Sequence, residues 1–266
     1  MSIEVKAVLL VGGKGTRLRT VLSGAPKPLA VVGNKSFLDL LVRQLRFQGI
    51  RRLVMCTGYL SDQIEKAFGD GHDLDAAIEY SKETKPLGTA GALRLAQGCL
   101  QNVPEFVVMN GDSFLEIDFS QLLKFHRQHG GVATLAVHQV ENAGRYGAVQ
   151  VDASGRVTGF AEKTGRISPG VINAGVYVFS SAVFQHLPEG PASLETDIFP
   201  RLVDHKMFAM QQHGLFIDIG RPEDYARAQQ MCDRLEKAAL LGRSFDSCDN
   251  EKELIHAEKA SSGERQ

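Results

Sequence analysis

The apolar run Val5–Val11 opens directly into Gly12-Gly13-Lys14-Gly15. A buried first strand that breaks into a glycine-rich loop narrows the fold more than any other feature of the chain, because glycine lets backbone N–H groups come close to a bound anion without Cβ interference. Beyond this loop the chain alternates helix and strand. The spacing of Leu38, Leu41 and Leu45 predicts a helix over Phe37–Gln48, opened by Ser36 with Asp39 in a capping-box arrangement and stopped by Gly49. Next come a strand at Arg52–Thr57, a helix capped by Ser61 that buries Ile64, Ala67 and Phe68, and a short strand near Ala77–Tyr80. A helix from Ala90 to Gln97, capped by Thr89, leads to a strand at Phe106–Met109 that ends in Asn110-Gly111-Asp112. This order predicts an α/β, Rossmann-like, mixed but mostly parallel sheet flanked by helices, with right-handed crossovers and ligands beyond the carboxyl ends of the strands.

After a helix at about Ser120–His129 the chain becomes strand-rich, with runs at Ala133–Gln139, Tyr146–Val151, Val157–Glu162 and Val171–Phe179. Helices near Ala182–His186 and Leu194–Val203 come next, then a strand at Phe208–Gln212, the run Leu215–Ile219 and a last helix opened by Pro222 with Glu223 and Asp224 in its first turn. The expected organisation is a single domain over 1–242, with a first part at about 1–118 and a strand-rich second part at about 119–242. Residues 243–266 turn polar and charged and read as a flexible tail.

Charge excludes whole classes of partner. Thirty Lys and Arg stand against 31 Asp and Glu, a net of −1, so the basic excess needed for nucleic-acid or anionic-membrane binding is missing. No run approaches the ~20 apolar residues of a membrane helix, and the first residues pass straight into a strand instead of a signal peptide, so a cytoplasmic protein is expected. The four cysteines, Cys56, Cys99, Cys232 and Cys248, are too sparse for a disulfide framework, and the eight histidines form no HExxH.

The glycine loop is neither a dinucleotide fingerprint, because Leu18 stands where the third glycine of GxGxxG belongs, nor a Walker A loop, because no GK[ST] closes it. Instead Arg17 stands two residues after Gly15, and Pro26-Lys27-Pro28 comes ten residues after Arg17. Two cations are thereby offered to one phosphate site, with Lys27 held in extended backbone by its prolines.

At Gly12-Gly-Lys-Gly-Thr-Arg-Leu18 with Pro26-Lys-Pro-Leu29 the chain resembles the sugar-1-phosphate nucleotidyltransferases. The resemblance runs from Val8 to about Gln230 and includes Pro86-Leu-Gly-Thr-Ala-Gly-Ala-Leu93, Asn110-Gly-Asp-Ser113, Arg145-Tyr-Gly147, Phe160-Ala-Glu-Lys163, Asn173-Ala-Gly175 and Phe216-Ile-Asp-Ile-Gly220, in family order. In detail it is most similar to the D-glycero-α-D-manno-heptose 1-phosphate guanylyltransferases. The family's reaction is in-line attack of a sugar 1-phosphate on the α-phosphorus of a nucleoside triphosphate, with pyrophosphate leaving. Two anions must meet, so cation placement dominates catalysis. The resemblance implies that Arg17 holds the triphosphate, that Lys27 neutralises phosphate during attack, and that Asp112 and Asp218 hold Mg²⁺, an ion suited by one or two carboxylates with phosphate oxygens and water. Leu10, Gly12, Gly13, Gly15, Thr16, Gly88 and Thr89 are the further nucleotide contacts. In the sugar-binding half Lys163 is assigned to the sugar's phosphate, Glu162 and Asn173 to its hydroxyls, the Gly147 backbone to the ring, and Glu195 to the same site.

Base choice falls to Glu83, five residues before Gly88, where thymidylyl and uridylyl relatives carry glutamine. Guanine presents N1–H and N2–H₂ as adjacent donors, and an ionised carboxylate, which only accepts, can receive both. The expectation is therefore GTP and heptose 1-phosphate as substrates, with mannose 1-phosphate or a UTP- or dTTP-using relative as the alternative, Mg²⁺ as cofactor and a homo-oligomer left open. A non-catalytic nucleotide-sugar sensor is disfavoured by the presence of Arg17, Lys27, Asp112 and Asp218, and a dinucleotide oxidoreductase by Leu18.

Overall fold

The computed structural model describes residues 5–13, 15–18, 22, 24–146, 148–161 and 167–240. In chain order, β1 is Lys6–Leu10, and a hairpin of two-residue strands, β2 Val31–Val32 and β3 Lys35–Ser36, leads into α1 Phe37–Phe47. β4 Arg52–Thr57, α2 Ser61–Phe68, β5 Ala77–Lys82, α3 Gly88–Leu95 and β6 Glu105–Asn110 complete the first half. The second half holds β7 Ser113–Leu115, α4 Phe119–His129, β8 Ala133–Val140, β9 Ala148–Val151, β10 Val157–Ala161 and β11 Gly170–Ser180. It closes with α5 Phe199–Leu202, β12 Met207–Gln212, β13 Phe216–Asp218, α6 Pro222–Gln230 and α7 Cys232–Leu240.

Nine strands form one mixed sheet flanked by helices. Its first half runs β6-β1-β4-β5, all parallel, and β11 joins antiparallel to β6 and carries β8 and β9 into the strand-rich half. Alternation within each strand sorts side chains to the two faces. Ala7, Leu9 and Val11 pack with the apolar face of α1, with α4 and with α7, whereas Val8, Val54 and Val108 pack with Ala90 and Leu93 of α3. Strands buried on both faces are what the continuous apolar runs require.

Several local expectations are corrected. Ser36 does cap α1, accepting from the Asp39 N–H at 3.1 Å. Ser61, by contrast, is the first residue of α2 and not its cap; Leu60 takes that place at φ 56° with no side-chain cap. Ala67 is exposed, and only Ile64 and Phe68 are buried of the three residues expected inside. Thr89 lies within the first turn of α3, not before it, because its hydroxyl is engaged by Leu194 and Glu195 from a distant part of the chain. α4 starts one residue early, at Phe119, behind the cap Asp118, whose side chain accepts from the Ser120 and Gln121 N–H groups. Lys27 is not extended: Pro26 is, at ψ 142°, but Lys27–Leu29 closes a 3₁₀ turn through Leu29 N–H to the Pro26 carbonyl at 2.8 Å. The single last helix is two, α6 and α7.

Candidate active site

The sheet topology decides where a site can form. α1 carries the chain from β1 to β4 on one side, while β6 lies on the other side of β1, so the direction of winding reverses between β1 and β6. At such a reversal the loops beyond the carboxyl ends part and leave a crevice. A cleft of about 650 Å³ lies there. Its walls are the loop after β1 (Gly12, Gly13, Gly15, Thr16, Arg17), the ends of β4 (Gly58, Tyr59), β5 (Glu83) and β6 (Asn110, Gly111, Asp112), and the start of α3 (Gly88, Thr89). Leu10, Lys27, Glu195 and Gly220 also line it. Residues from both halves of the chain therefore meet, and of the expected nucleotide and catalytic set only Asp218 is not itself part of the lining, although Gly220 beside it is.

Backbone geometry holds the loop open. Gly15 sits at φ +57°, and a Cβ there would lie 2.8 Å from Lys27 Cβ, so this position needs glycine both for its dihedral and for the close approach of the lysine. On the opposite wall Gly88, at φ +70°, brings its backbone so near the Ala192 carbonyl that a Cβ would stand 2.5 Å from the oxygen. That carbonyl accepts from the Ala90 and Gly91 N–H groups, and the Thr89 hydroxyl accepts from Leu194 N–H at 2.7 Å while donating to Glu195 Oε2 at 2.9 Å. The start of α3 and the segment 192–195 are thus one wall.

The charged centre is built by a short ladder. β7 and β13 pair antiparallel, with Ser113 opposite Asp218, and Ile219 N–H donates to the Asp112 carbonyl at 2.9 Å. Asp112 and Asp218 converge in consequence. Lys27 Nζ, on a side chain only 13% exposed, donates to Asp112 Oδ2 at 2.6 Å. Asp218 accepts from the Gly220 N–H. Burial raises its carboxyl above the usual range, the Asp112 charge raises it further, and Lys27 opposes both. One ammonium beside two carboxylates leaves an excess negative charge at the floor of the cleft, which fits a divalent cation shared with phosphate oxygens. Among the described residues no group of three or more His, Cys, Asp or Glu side chains is arranged to hold a metal by itself.

Glu83 comes directly after β5 and is half-buried. Its Oε2 accepts from Leu87 N–H at 3.0 Å, and Oε1 lies so close to Gly12 that a Cβ there would be 3.1 Å away. Burial pushes its carboxyl up, and the Leu87 hydrogen bond pulls the other way. The residue is therefore a fixed acceptor in the cleft wall, not a solvated surface charge.

Asn173 is placed differently from the rest. Its Nδ2 donates to the Tyr177 hydroxyl at 2.9 Å and its Oδ1 accepts from Gly175 N–H at 2.9 Å, and it does not line the cleft. Gly147, Glu162 and Lys163 lie outside the described residues, as does the 243–266 segment. Asn110 and Tyr59 line the cleft without being among the residues that sequence reasoning assigns to it. Their signal is position alone: both stand at the carboxyl end of a parallel strand.

Against this geometry, comparison with known proteins is decisive. A family model described as nucleotidyl transferase matches residues 6–234. The chain belongs to the nucleotidyl transferase family. Among its relatives, mannose-1-phosphate guanylyltransferase catalytic subunit beta of Danio rerio is 39% identical over 225 residues, which are 83% of this chain and 62% of that protein. The protein of the same name from Drosophila pseudoobscura pseudoobscura is 38% identical over 223 residues, 83% of this chain and 60% of the other. This family member thus spans about three-fifths of the length of those relatives. Among solved structures, HddC from Yersinia pseudotuberculosis complexed with GMP-PN superposes with a TM-score of 0.76 at 31% identity, covering 85% of this chain and 98% of that one. No helix among the described residues is long and apolar enough to cross a membrane.

Proposed function

We propose that the chain transfers GMP from GTP to a sugar 1-phosphate, releasing pyrophosphate and forming a GDP-sugar. The observation that carries this reading is the convergence of Lys27, Asp112 and Asp218 at the β1/β6 reversal, below a glycine loop that bears Arg17. In this assignment Arg17 and the loop N–H groups hold the triphosphate, and Lys27 moves its ammonium between Asp112 and the phosphates. Asp112 and Asp218 hold Mg²⁺, which when bound screens the phosphate charges during in-line attack. Lys163, Glu162, Gly147 and Asn173 keep their sugar-side roles as a reading of sequence.

For the sugar, mannose 1-phosphate comes first. The relatives at 38–39% identity are named for that substrate, whereas heptose 1-phosphate rests on overall resemblance, with no single position that decides it. For the base, support comes from the fixed carboxylate of Glu83 and from the guanylyltransferase names of the same relatives. Each carboxylate oxygen accepts two hydrogen bonds, so Oε2 can keep the Leu87 N–H and still receive one from a base. Replacing Glu83 by Gln offers guanine a donor in place of an acceptor. We expect kcat/KM for GTP to fall about 10- to 100-fold, the cost of one charge-assisted hydrogen bond, with a smaller loss for UTP. An unchanged GTP-to-UTP ratio would remove Glu83 from base selection.

A further inference from the structure

Arg145 and Asp224 form an ion pair that the reaction chemistry does not use. The two Arg145 Nη atoms face the two Asp224 carboxylate oxygens, Nη1 to Oδ1 at 3.5 Å and Nη2 directly to Oδ2. Asp224 is 4% exposed and Arg145 28%. A second guanidinium, Arg227, reaches Asp224 Oδ1 only at 3.9 Å from an exposed position one turn along α6. The pair joins distant parts of the chain. Arg145 lies in the turn 143–145 that leads into β9, and Asp224 lies in the first turn of α6, six residues after Asp218.

The pair holds Tyr146 in place. The Arg145 guanidinium stands 5.6 Å from the Tyr146 ring centre, and the ring meets Phe216 edge-on at 6.0 Å. Phe216 and Asp218 are two residues apart on β13, so both project from the same face of that strand. Tyr146 is thereby laid over the face that carries Asp218, and Asp218 and Asp224 both act electrostatically on its phenol. The turn has little else to fix it by side-chain hydrogen bonding: Asn142 Oδ1 and Arg145 Nε are buried without partners among the described residues. The pair therefore clamps the strand-rich half onto the segment that bears one of the two carboxylates of the charged centre.

We infer that Arg145 and Asp224 are a positioning pair: they fix the Arg145-Tyr146 turn over Asp218 and so set the affinity of the site for the sugar 1-phosphate, leaving the nucleotide side untouched. This rests on the function proposed above, in which that turn belongs to the sugar-binding half. Among the described residues the side-chain hydrogen bonds and ion pairs of Arg145 and Asp224 involve only one another and Arg227 and do not reach Glu83 or the α3 wall, so the two substrates respond differently to the pair's loss.

Steady-state kinetics on the full chain test this. Asp224→Asn and Arg145→Gln each remove one charge. Expected is a rise of about ten-fold or more in KM for the sugar 1-phosphate with KM for GTP within about three-fold of wild type, the former equivalent to about 1.4 kcal/mol. Titration calorimetry of mannose 1-phosphate should show the same weakening without turnover. Arg145→Lys keeps the charge and should lie between, and the exchange Arg145→Asp with Asp224→Arg should recover part of the loss. Where Asp224→Asn does not fold, Arg145→Gln, at the more exposed partner, carries the test. If both KM values rise together, or if only thermal stability falls, the pair is merely structural and the inference is overturned. Failure of the wild type to release pyrophosphate with any sugar phosphate would instead count against the proposed function.

Discussion

Replacing Asp218 by Asn should make the metal-free protein more stable and the enzyme nearly inactive. Lys27 is committed to Asp112 at 2.6 Å, so in the trio of Lys27, Asp112 and Asp218 one negative charge is uncompensated, and it resides on the more buried carboxylate. Asparagine keeps the carbonyl oxygen that accepts the Gly220 N–H and removes the charge. Because burial and Asp112 raise the folded-state pKa of Asp218 above its unfolded value, the associated stability is fully present below the unfolded value and is lost as pH rises through the folded one. Asparagine cannot ionise, so the variant keeps at neutral pH what the wild type has lost. The stability gap should be near zero at about pH 4, widen with rising pH, and level off above the folded-state pKa.

A gain of about 1 kcal/mol is the scale for relieving strain of this kind at a functional site, and it raises the Tm by about 2–4 °C in a chain of this size. The assay is thermal unfolding in EDTA across pH, paired with turnover in Mg²⁺, where a loss of about 10²–10³ is expected for removing one electrostatic contact to the transition state. Adding Mg²⁺ and GTP should raise the Tm of the wild type more than that of the variant. Destabilisation at neutral pH, a gap that shrinks as pH rises, or turnover close to wild type would each refute the placement of an excess negative charge at the cleft floor.

Two further substitutions probe separate parts of the site. Arg17, exposed on the loop after β1, should when changed to Ala leave the melting temperature within about 1 °C of wild type while lowering turnover about 10²- to 10³-fold; single-turnover pyrophosphate release measures this, and an unimpaired chemical step would take Arg17 out of the mechanism. Thr89→Val deletes the acceptor of the Leu194 N–H and the donor to Glu195, at a cost of about 1–3 kcal/mol in urea unfolding; an unchanged midpoint would show that the α3 wall does not depend on this hydroxyl.

Legibility in the sequence varies with the range of the interaction. β1, β4, α1 and β6 are readable because burial on both faces leaves a continuous apolar run and burial on one helix face leaves a period. Asp112 and the glycine loop are readable because they sit at the ends of such strands. Thr89 and Ser61 read as caps because their residue type suits a cap, while the hydroxyl of Thr89 is bound by groups 105 and 106 residues away, which no local rule can see. The β7/β13 ladder, three residues on each side, has no periodicity to detect, yet it is what brings Asp218 to Asp112. The same holds for Arg145 and Asp224, 79 residues apart. Family resemblance supplies Asp218 where periodicity does not. Lys27 is located by its flanking prolines, but its backbone departs from the extended form that Pro28 favours in its predecessor, because the hydrogen bond closing the turn outweighs that restriction.

The central claim is that this cleft joins a nucleotide to a sugar 1-phosphate. Pyrophosphate release by the purified chain, measured over a matrix of GTP, UTP, dTTP and ATP against mannose, glucose and heptose 1-phosphates, tests it most directly. The predicted result is Mg²⁺-dependent release with GTP and mannose 1-phosphate, matched mole for mole by a GDP-sugar and abolished by EDTA. A folded protein that binds these nucleotides yet releases no pyrophosphate in any cell of the matrix would contradict it, and would identify a sensor built on a transferase fold.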